Sequence, residues 1–331
     1  MVLKMLKQEN RVTPEGLKRQ SVTMRKLLDL GTDPFTLTIE ACRKRRIPVV
    51  ASYRMNSEDF YQYETLMYDF GRAHPEWKIP GANCLDPAVP GVYEHRMAIF
   101  NEVAERYDID GIEFDFRRHY HMVSNPLVNY PVLTRMVRQT RRMLDETARK
   151  KGRQKLLLGA RVGPSLDTEP NPFVFPGSQR PQIPQDSSCK DLGLDVKTWI
   201  AEGLVDYLCP SLFSGILPGI PKTREFSALA EHTSVGIYPT LWTNAPWQNK
   251  WPWAEITLEK KDEKVLAIYK DELCSTALRL YEDGADGIST FNWGGAGAGA
   301  EAVQAHLYPL LGGPATIRRY RDEPWALPPK T

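Results

Sequence analysis

Asp110-Gly111-Ile112-Glu113-Phe114-Asp115-Phe116-Arg117 is the stretch on which the reading of this chain turns. Side chains alternate across a strand, so Ile112, Phe114 and Phe116 share one face while Glu113, Asp115 and Arg117 share the other. The apolar face must pack under helices, which leaves the charged face to point into the hollow of a curved sheet. Two carboxylates buried there are costly unless paired or hydrogen-bonded. Arg117, Arg54 and Arg161 are the candidate partners, each near the C-terminal end of a strand.

Working outward, the same design repeats: a short apolar run, a polar loop, then a helical stretch. Strands are expected at Ile47 to Arg54, Ile109 to Phe116, Lys155 to Val162, Val205 to Ser211, Val235 to Leu241 and Gly287 to Trp293. Helices are expected at Pro34 to Lys44, Val92 to Tyr107, Pro131 to Lys151, Val196 to Glu202, Asp262 to Tyr281 and Glu301 to Leu310. Strands alternating with helices imply parallel pairing, because each return crossing needs a helix on the sheet face. Strands apolar on most positions point to burial on both sides, as in a (β/α)8 TIM-type barrel. Helix stops such as Glu202-Gly203-Leu204-Val205-Asp206 and Asp283-Gly284-Ala285-Asp286-Gly287 specify short connections at one end, with Gly203 and Gly284 placed for the positive φ of a helix C-terminus. At the other end the loops are long, as at Arg118 to Tyr130, Gly163 to Leu194, Ser214 to Phe226 and Trp242 to Glu255, and that is the end where barrel active sites are built.

About six strands are readable where eight are needed, and the polar, helical pattern of Lys7 to Leu30 supplies none. The expectation is therefore a barrel incomplete at its N-terminus, with impaired activity as the consequence. The divisions are a helical segment at 1–33, the barrel at 34–312 and a tail at 313–331.

Composition bounds the rest. The chain has 331 residues, 42% apolar and 25% charged, enough for a large core. A net charge of +2 gives no reason to expect nucleic acid as the partner. The five cysteines, odd in number and without a C-x-x-C pair, indicate neither zinc nor a disulfide framework, and no cofactor or metal is expected. No apolar run approaches the roughly 18 residues of a membrane span, and Met1 to Arg11 is not signal-like. The expected location is cytoplasmic as the sequence stands, or secreted or periplasmic if a leader has been removed; oligomeric state is not readable.

Glycoside hydrolysis needs two carboxyl groups, one protonated and one ionised. Asp115, nearer the barrel mouth, is the first choice as catalytic carboxylate, with Glu113 one step deeper as its partner. Two residues on one strand are poorly placed to straddle a bond, so a second acid should come from elsewhere; Glu58, Asp59, Asp167 and Glu169 are the nearby acids. Substrate-binding candidates are Arg54, Asn56, Arg117, Arg161 and His119, with Tyr238, Trp242, Asn292 and Trp293 at later strand ends. Their rings suit sugar C–H surfaces and Asn292 supplies an amide.

The segments Ser52-Tyr53-Arg54-Met55-Asn56, Tyr107 to Arg117, Leu194 to Tyr207 and Gly287 to Trp293 together resemble the glycosyl-hydrolase-like TIM-barrel proteins found in many bacterial genomes. The resemblance spans Asp33 to about Leu310 and rests on the D-G-I-E-F-D-F-R-R strand followed, in order, by W-I-A-E-G-L-V-D-Y. It implies a (β/α)8 barrel, a carbohydrate substrate, and a pocket built from Glu113, Asp115, Arg117, Arg54 and Asn56. Two other readings remain open: a non-catalytic carbohydrate-binding barrel, and a sugar-acid lyase or isomerase using the arginines for a carboxylate and His119 as base.

Overall fold

The computed structural model describes residues 14–55, 69–82, 84–117, 122–167, 187–212, 220–242, 263–291 and 311–321, with backbone alone at 14–21, 242, 263–269 and 291. In chain order these form α1 (Pro14–Asp29), α2 (Pro34–Lys44), β1 (Val50–Arg54), α3 (Asp69–Ala73), a 3-10 turn (Pro75–Trp77), α4 (Pro90–Arg106), β2 (Gly111–Asp115), α5 (Pro126–Lys150), β3 (Leu157–Val162) and α6 (Val196–Ala201). There follow β4 (Tyr207–Pro210), α7 (Thr223–Ala230), β5 (Gly236–Ile237), β6 (Thr240–Trp242), α8 (Glu263–Glu282), β7 (Ser289–Phe291) and α9 (Pro314–Arg321).

All ladders are parallel, in the order β1-β2-β3-β4-β5, with β6 paired to β7. A parallel bridge from Ser211 to Thr240 ties the end of β4 to β6. Thus β5 and β6 are two halves of one strand, interrupted at Tyr238-Pro239, where proline has no N–H to give to a ladder. The Pro239 carbonyl still accepts from Ser289, 3.1 Å away. Among the described residues, six parallel strands therefore stand side by side in sequence order, one for each strand read from the sequence.

Helix ends obey local chemistry. Asp33 caps α2 by accepting from the Thr36 N–H at 2.9 Å, and Asp195 caps α6 from the Thr198 N–H at 3.2 Å. Pro90 and Pro126 open α4 and α5, where a missing N–H costs nothing. Gly203 and Gly284 follow helices with φ of 62° and 92°, as the turn reading requires. The stretch 214–226, read as loop, contains the start of α7, and the segment read as a tail contains α9, whose Ile317 is fully buried.

Ile112, Phe114 and Phe116 face outward and are buried with Phe100 of α4, Leu133 and Val137 of α5 and Trp199 of α6. Phe100 and Phe114 sit 4.8 Å apart and Phe116 lies 5.7 Å from Trp199. Each such side chain contributes about 1.5–3 kcal/mol by leaving water, so this aromatic layer is what holds the helices to the sheet. The indole N–H of Trp199 donates to Thr134 Oγ1 at 3.1 Å, which satisfies its one polar group. Gly111 is fixed by backbone proximity: a Cβ there would lie 2.3 Å from the Leu157 carbonyl oxygen.

Candidate functional site

The other face of the sheet carries the polar residues. Register places Ser52, Glu113, Gly159, Tyr207 and Gly236 in one row across β1 to β5. One step toward the C-terminal ends come Arg54, Asp115, Arg161 and Cys209. Beyond them Ser211, Thr240 and Ser289 form a row of hydroxyl side chains.

Asp115 and Arg161, both buried, meet across β2 and β3, with Arg161 Nε 3.3 Å from Asp115 Oδ1. The same Oδ1 accepts from the Arg117 backbone N–H at 2.9 Å. No donor among the described residues reaches the second oxygen, Oδ2. Burial makes the Arg161 guanidinium easier to deprotonate than usual; Asp115 counters this and the neighbouring Arg117 adds to it. An arginine stays charged even so, so this row holds a buried cation beside a buried carboxylate. Arg117 is itself 2% exposed, while Arg54 is half-buried opposite Asp115.

Glu113 has different company from the arginines expected for it. Its Oε1 accepts from Ser52 Oγ at 2.9 Å, and its Oε2 from the Tyr207 hydroxyl at 3.1 Å. The Cys209 sulfur lies 3.9 Å from that second oxygen. Burial, and then the Glu113 charge, raise the proton affinity of Tyr207, so the phenol remains a donor. The same two causes act on the Cys209 thiol, which also receives a bond from Ser289. Both oxygens of Glu113 are therefore engaged, whereas among the described residues Asp115 has one oxygen without a donor.

Sequence reading misses Tyr207. Its ring lies where a side chain at 159 would be: a Cβ on Gly159 would fall 2.0 Å from the ring carbon Cζ. The Tyr238 ring lies likewise over Gly236 and Gly287, with distances of 2.6 and 2.9 Å to the Cβ positions. A usable signal would have been glycines at inward-facing strand positions beside tyrosines on the same or adjoining strands.

Of the residues expected at the site, Arg54, Glu113, Asp115, Arg117 and Arg161 are brought together on one face, and Tyr238, 37% exposed, lies further along it. Asn56, His119, Asn292 and Trp293, and the side chain of Trp242, lie outside the described residues. So do Glu58, Asp59 and Glu169. Asp167 is placed, but in an ion pair with Lys197. That pair lines a cavity of about 230 Å³ with Leu127, Tyr130, Leu166 and Val196, between the first turns of α5 and α6 and the loop after β3. Among the described residues no group of three or more His, Cys, Asp or Glu could hold a metal ion, and no helix is long and apolar enough to cross a membrane.

No protein-family model matches the chain, and no curated protein is similar to it. Among solved structures, it is similar to a cycloisomaltooligosaccharide glucanotransferase of a Paenibacillus species, with a TM-score of 0.37 and 15% identity over 61% of this chain and 28% of that one. It is also similar to alpha-L-fucosidase isoenzyme 2 from Paenibacillus thiaminolyticus, with a TM-score of 0.43 and 12% identity over 84% of this chain and 40% of that one. The chain thus spans less than half the length of either protein, and its chemistry has to be argued from its own residues.

Proposed function

We propose that the chain is a carbohydrate-acting (β/α)8-barrel protein, a glycoside hydrolase in which Asp115 is the reacting carboxylate. Support for the barrel is topological. Right-handed crossovers between parallel strands in unbroken sequence order put every helix on one face, whereas a doubly wound sheet must reverse its order. The face left without helices carries Glu113, Asp115, Arg161 and Tyr207, and curling that face inward is the arrangement that shelters it.

The observation that carries the chemistry is Asp115 Oδ2. A buried carboxylate whose Oδ1 is held by Arg161 Nε and the Arg117 N–H, and whose Oδ2 meets no donor among the described residues, is oriented to attack an anomeric carbon or to take a proton from water. Glu113, through Ser52 and Tyr207, fixes the row beneath it. The complementary acid is not on this face among the described residues, since Glu113 is the other carboxylate there and both its oxygens are taken. That same fact favours a second reading, a barrel that binds carbohydrate without cleaving it.

Reducing-sugar release from a panel of oligosaccharides and aryl glycosides separates the two. Wild type should cleave at least one substrate, and Asp115→Asn should lower kcat about 10²–10⁴-fold, the span of a positioned proton-transfer or nucleophilic group. Cleavage unaffected by that substitution would sink the role of Asp115, and sugar binding without cleavage by any preparation would establish the second reading.

A further inference from the structure

The rings of Tyr207 and Tyr238 are the large feature of the inner face that the carboxylate chemistry leaves unused. They meet edge to face, centroids 5.9 Å apart and planes at 84°, so together they form a corner. Tyr207 is tied through its hydroxyl to Glu113 and lies on Gly159, and Tyr238 lies over Gly236 and Gly287. Two strand glycines, Gly159 and Gly236, forfeit packing and cost backbone entropy, and with Gly287 just ahead of β7 each leaves the space that a ring occupies. Tyr238 nevertheless remains 37% exposed.

What fits such a corner must satisfy two demands at once. The ring faces call for an apolar surface. The groups beside them, Ser52, Glu113, Asp115 and Arg161, call for several hydrogen-bonding edges, and Asp115 Oδ2 specifically for a donor. A planar aromatic ligand meets the first demand and leaves the carboxylate desolvated and unpaired, a costly outcome. A pyranose meets both, with axial C–H groups on a face and hydroxyls around the rim.

We infer that Tyr207 and Tyr238 form the seat of a single pyranose unit, its C–H face against the tyrosine corner and its hydroxyl edge toward the row of Asp115 and Arg161. This assignment rests on the carbohydrate reading of the same face and adds the residues that choose the sugar's ring form. Tyr207 does so as a specificity residue anchored by Glu113.

The test is saturation-transfer NMR with methyl β-D-glucopyranoside, methyl β-D-galactopyranoside, methyl α-L-fucopyranoside and methyl β-D-glucopyranosiduronate, followed by calorimetry on the best binder. Wild type should bind at least one, with its C–H protons receiving the transfer. Tyr238→Ala, at an exposed position, should weaken binding at least about tenfold, equivalent to about 1.4 kcal/mol. Tyr207→Phe keeps the ring and should stay within about threefold, whereas Gly159→Val, which displaces that ring, should weaken binding as much as Tyr238→Ala does. Absence of binding by all four glycosides, binding by Tyr238→Ala equal to wild type, or displacement of the sugar by indole overturns the inference. Cleavage that persists unchanged in Tyr238→Ala and Gly159→Val sinks this assignment alone; binding of a pyranoside that is never cleaved sinks the hydrolase reading and leaves the seat in place.

Discussion

The two ends of the sheet use aspartate in opposite ways. At the N-terminal ends, Asp110, Asp206 and Asp286 precede or open alternate strands, and each reaches across to the strand before it. Asp110 Oδ2 accepts the Val49 N–H at 2.6 Å, Asp206 Oδ2 the Leu158 N–H at 2.8 Å and Asp286 Oδ2 the Ile237 N–H at 2.8 Å. Asp110 is further gripped by Arg43 and Arg153, and Asp206 by Arg141 and Lys155. At the C-terminal ends, Asp115 gives one oxygen to Arg161 and the Arg117 N–H, and no donor among the described residues reaches the other. Asp110 and Asp206, with both oxygens spent on the fold, set register; Asp286 does so through one oxygen at an exposed position, whereas Asp115 is buried beside Arg161. In the proposed barrel this is the usual division, stability below and chemistry above.

The contrast can be broken most directly at Asp206. Asp206→Ala leaves the Leu158 N–H unpaired and removes one of two carboxylates on the buried Arg141, which keeps Asp145 and the Leu156 carbonyl; it should cost about 2–3 kcal/mol of unfolding free energy, read from urea denaturation, with sugar binding unchanged. Asp115→Asn should cost less, about 1–2 kcal/mol, because asparagine still accepts from the Arg117 N–H and the ion pair with Arg161 is a single long one. If Asp115→Asn proved the more damaging to stability, the assignment of roles to the two ends would be reversed. Asp286, more exposed and bonded to one N–H, should lose about 1 kcal/mol or less as Asp286→Ala.

The smallest effect sharpens the comparison through pH. Burial pushes the Asp110 carboxyl up, but the Val49 N–H, Arg43 and Arg153 outweigh it and hold the group below its ordinary value. A carboxyl depressed in the folded state stabilises above its unfolded pKa, about 4, and that contribution disappears as pH falls through the lower folded value. The stability gap between wild type and Asp110→Asn should therefore be constant from pH 7 to pH 5 and shrink below about pH 4. A gap that widened with acid would remove Asp110 from the account.

Much of this architecture is legible in the sequence because it is local. All six strands fall on the stretches read from hydrophobic runs, though they start one to three residues later, and α2 spans Pro34–Lys44 as expected because Asp33, Pro34 and the basic last turn mark both ends. That Glu113 and Asp115 share a face follows from alternation alone. What is not legible is non-local. The aspartates at 110, 206 and 286 read as ordinary helix stops, since the N–H groups they bind are 61, 48 and 49 residues away in the chain. Arginines are the partners expected for Glu113, because charge is visible in a sequence and a tyrosine hydroxyl arriving from β4 is not. Pro239 reads as part of one strand; its missing N–H divides that strand in two.

The fit of Tyr207 onto Gly159 also reaches beyond this one molecule. Since the ring occupies the volume a Cβ at 159 would need, neither position can change alone without a clash or a void. Related chains should therefore carry a glycine with a tyrosine, or a larger residue with a smaller one, and rarely the mixed states between. Selection at two positions on different strands is thereby bound into one choice, and a chain that has crossed to the other combination should be found to handle a different ligand.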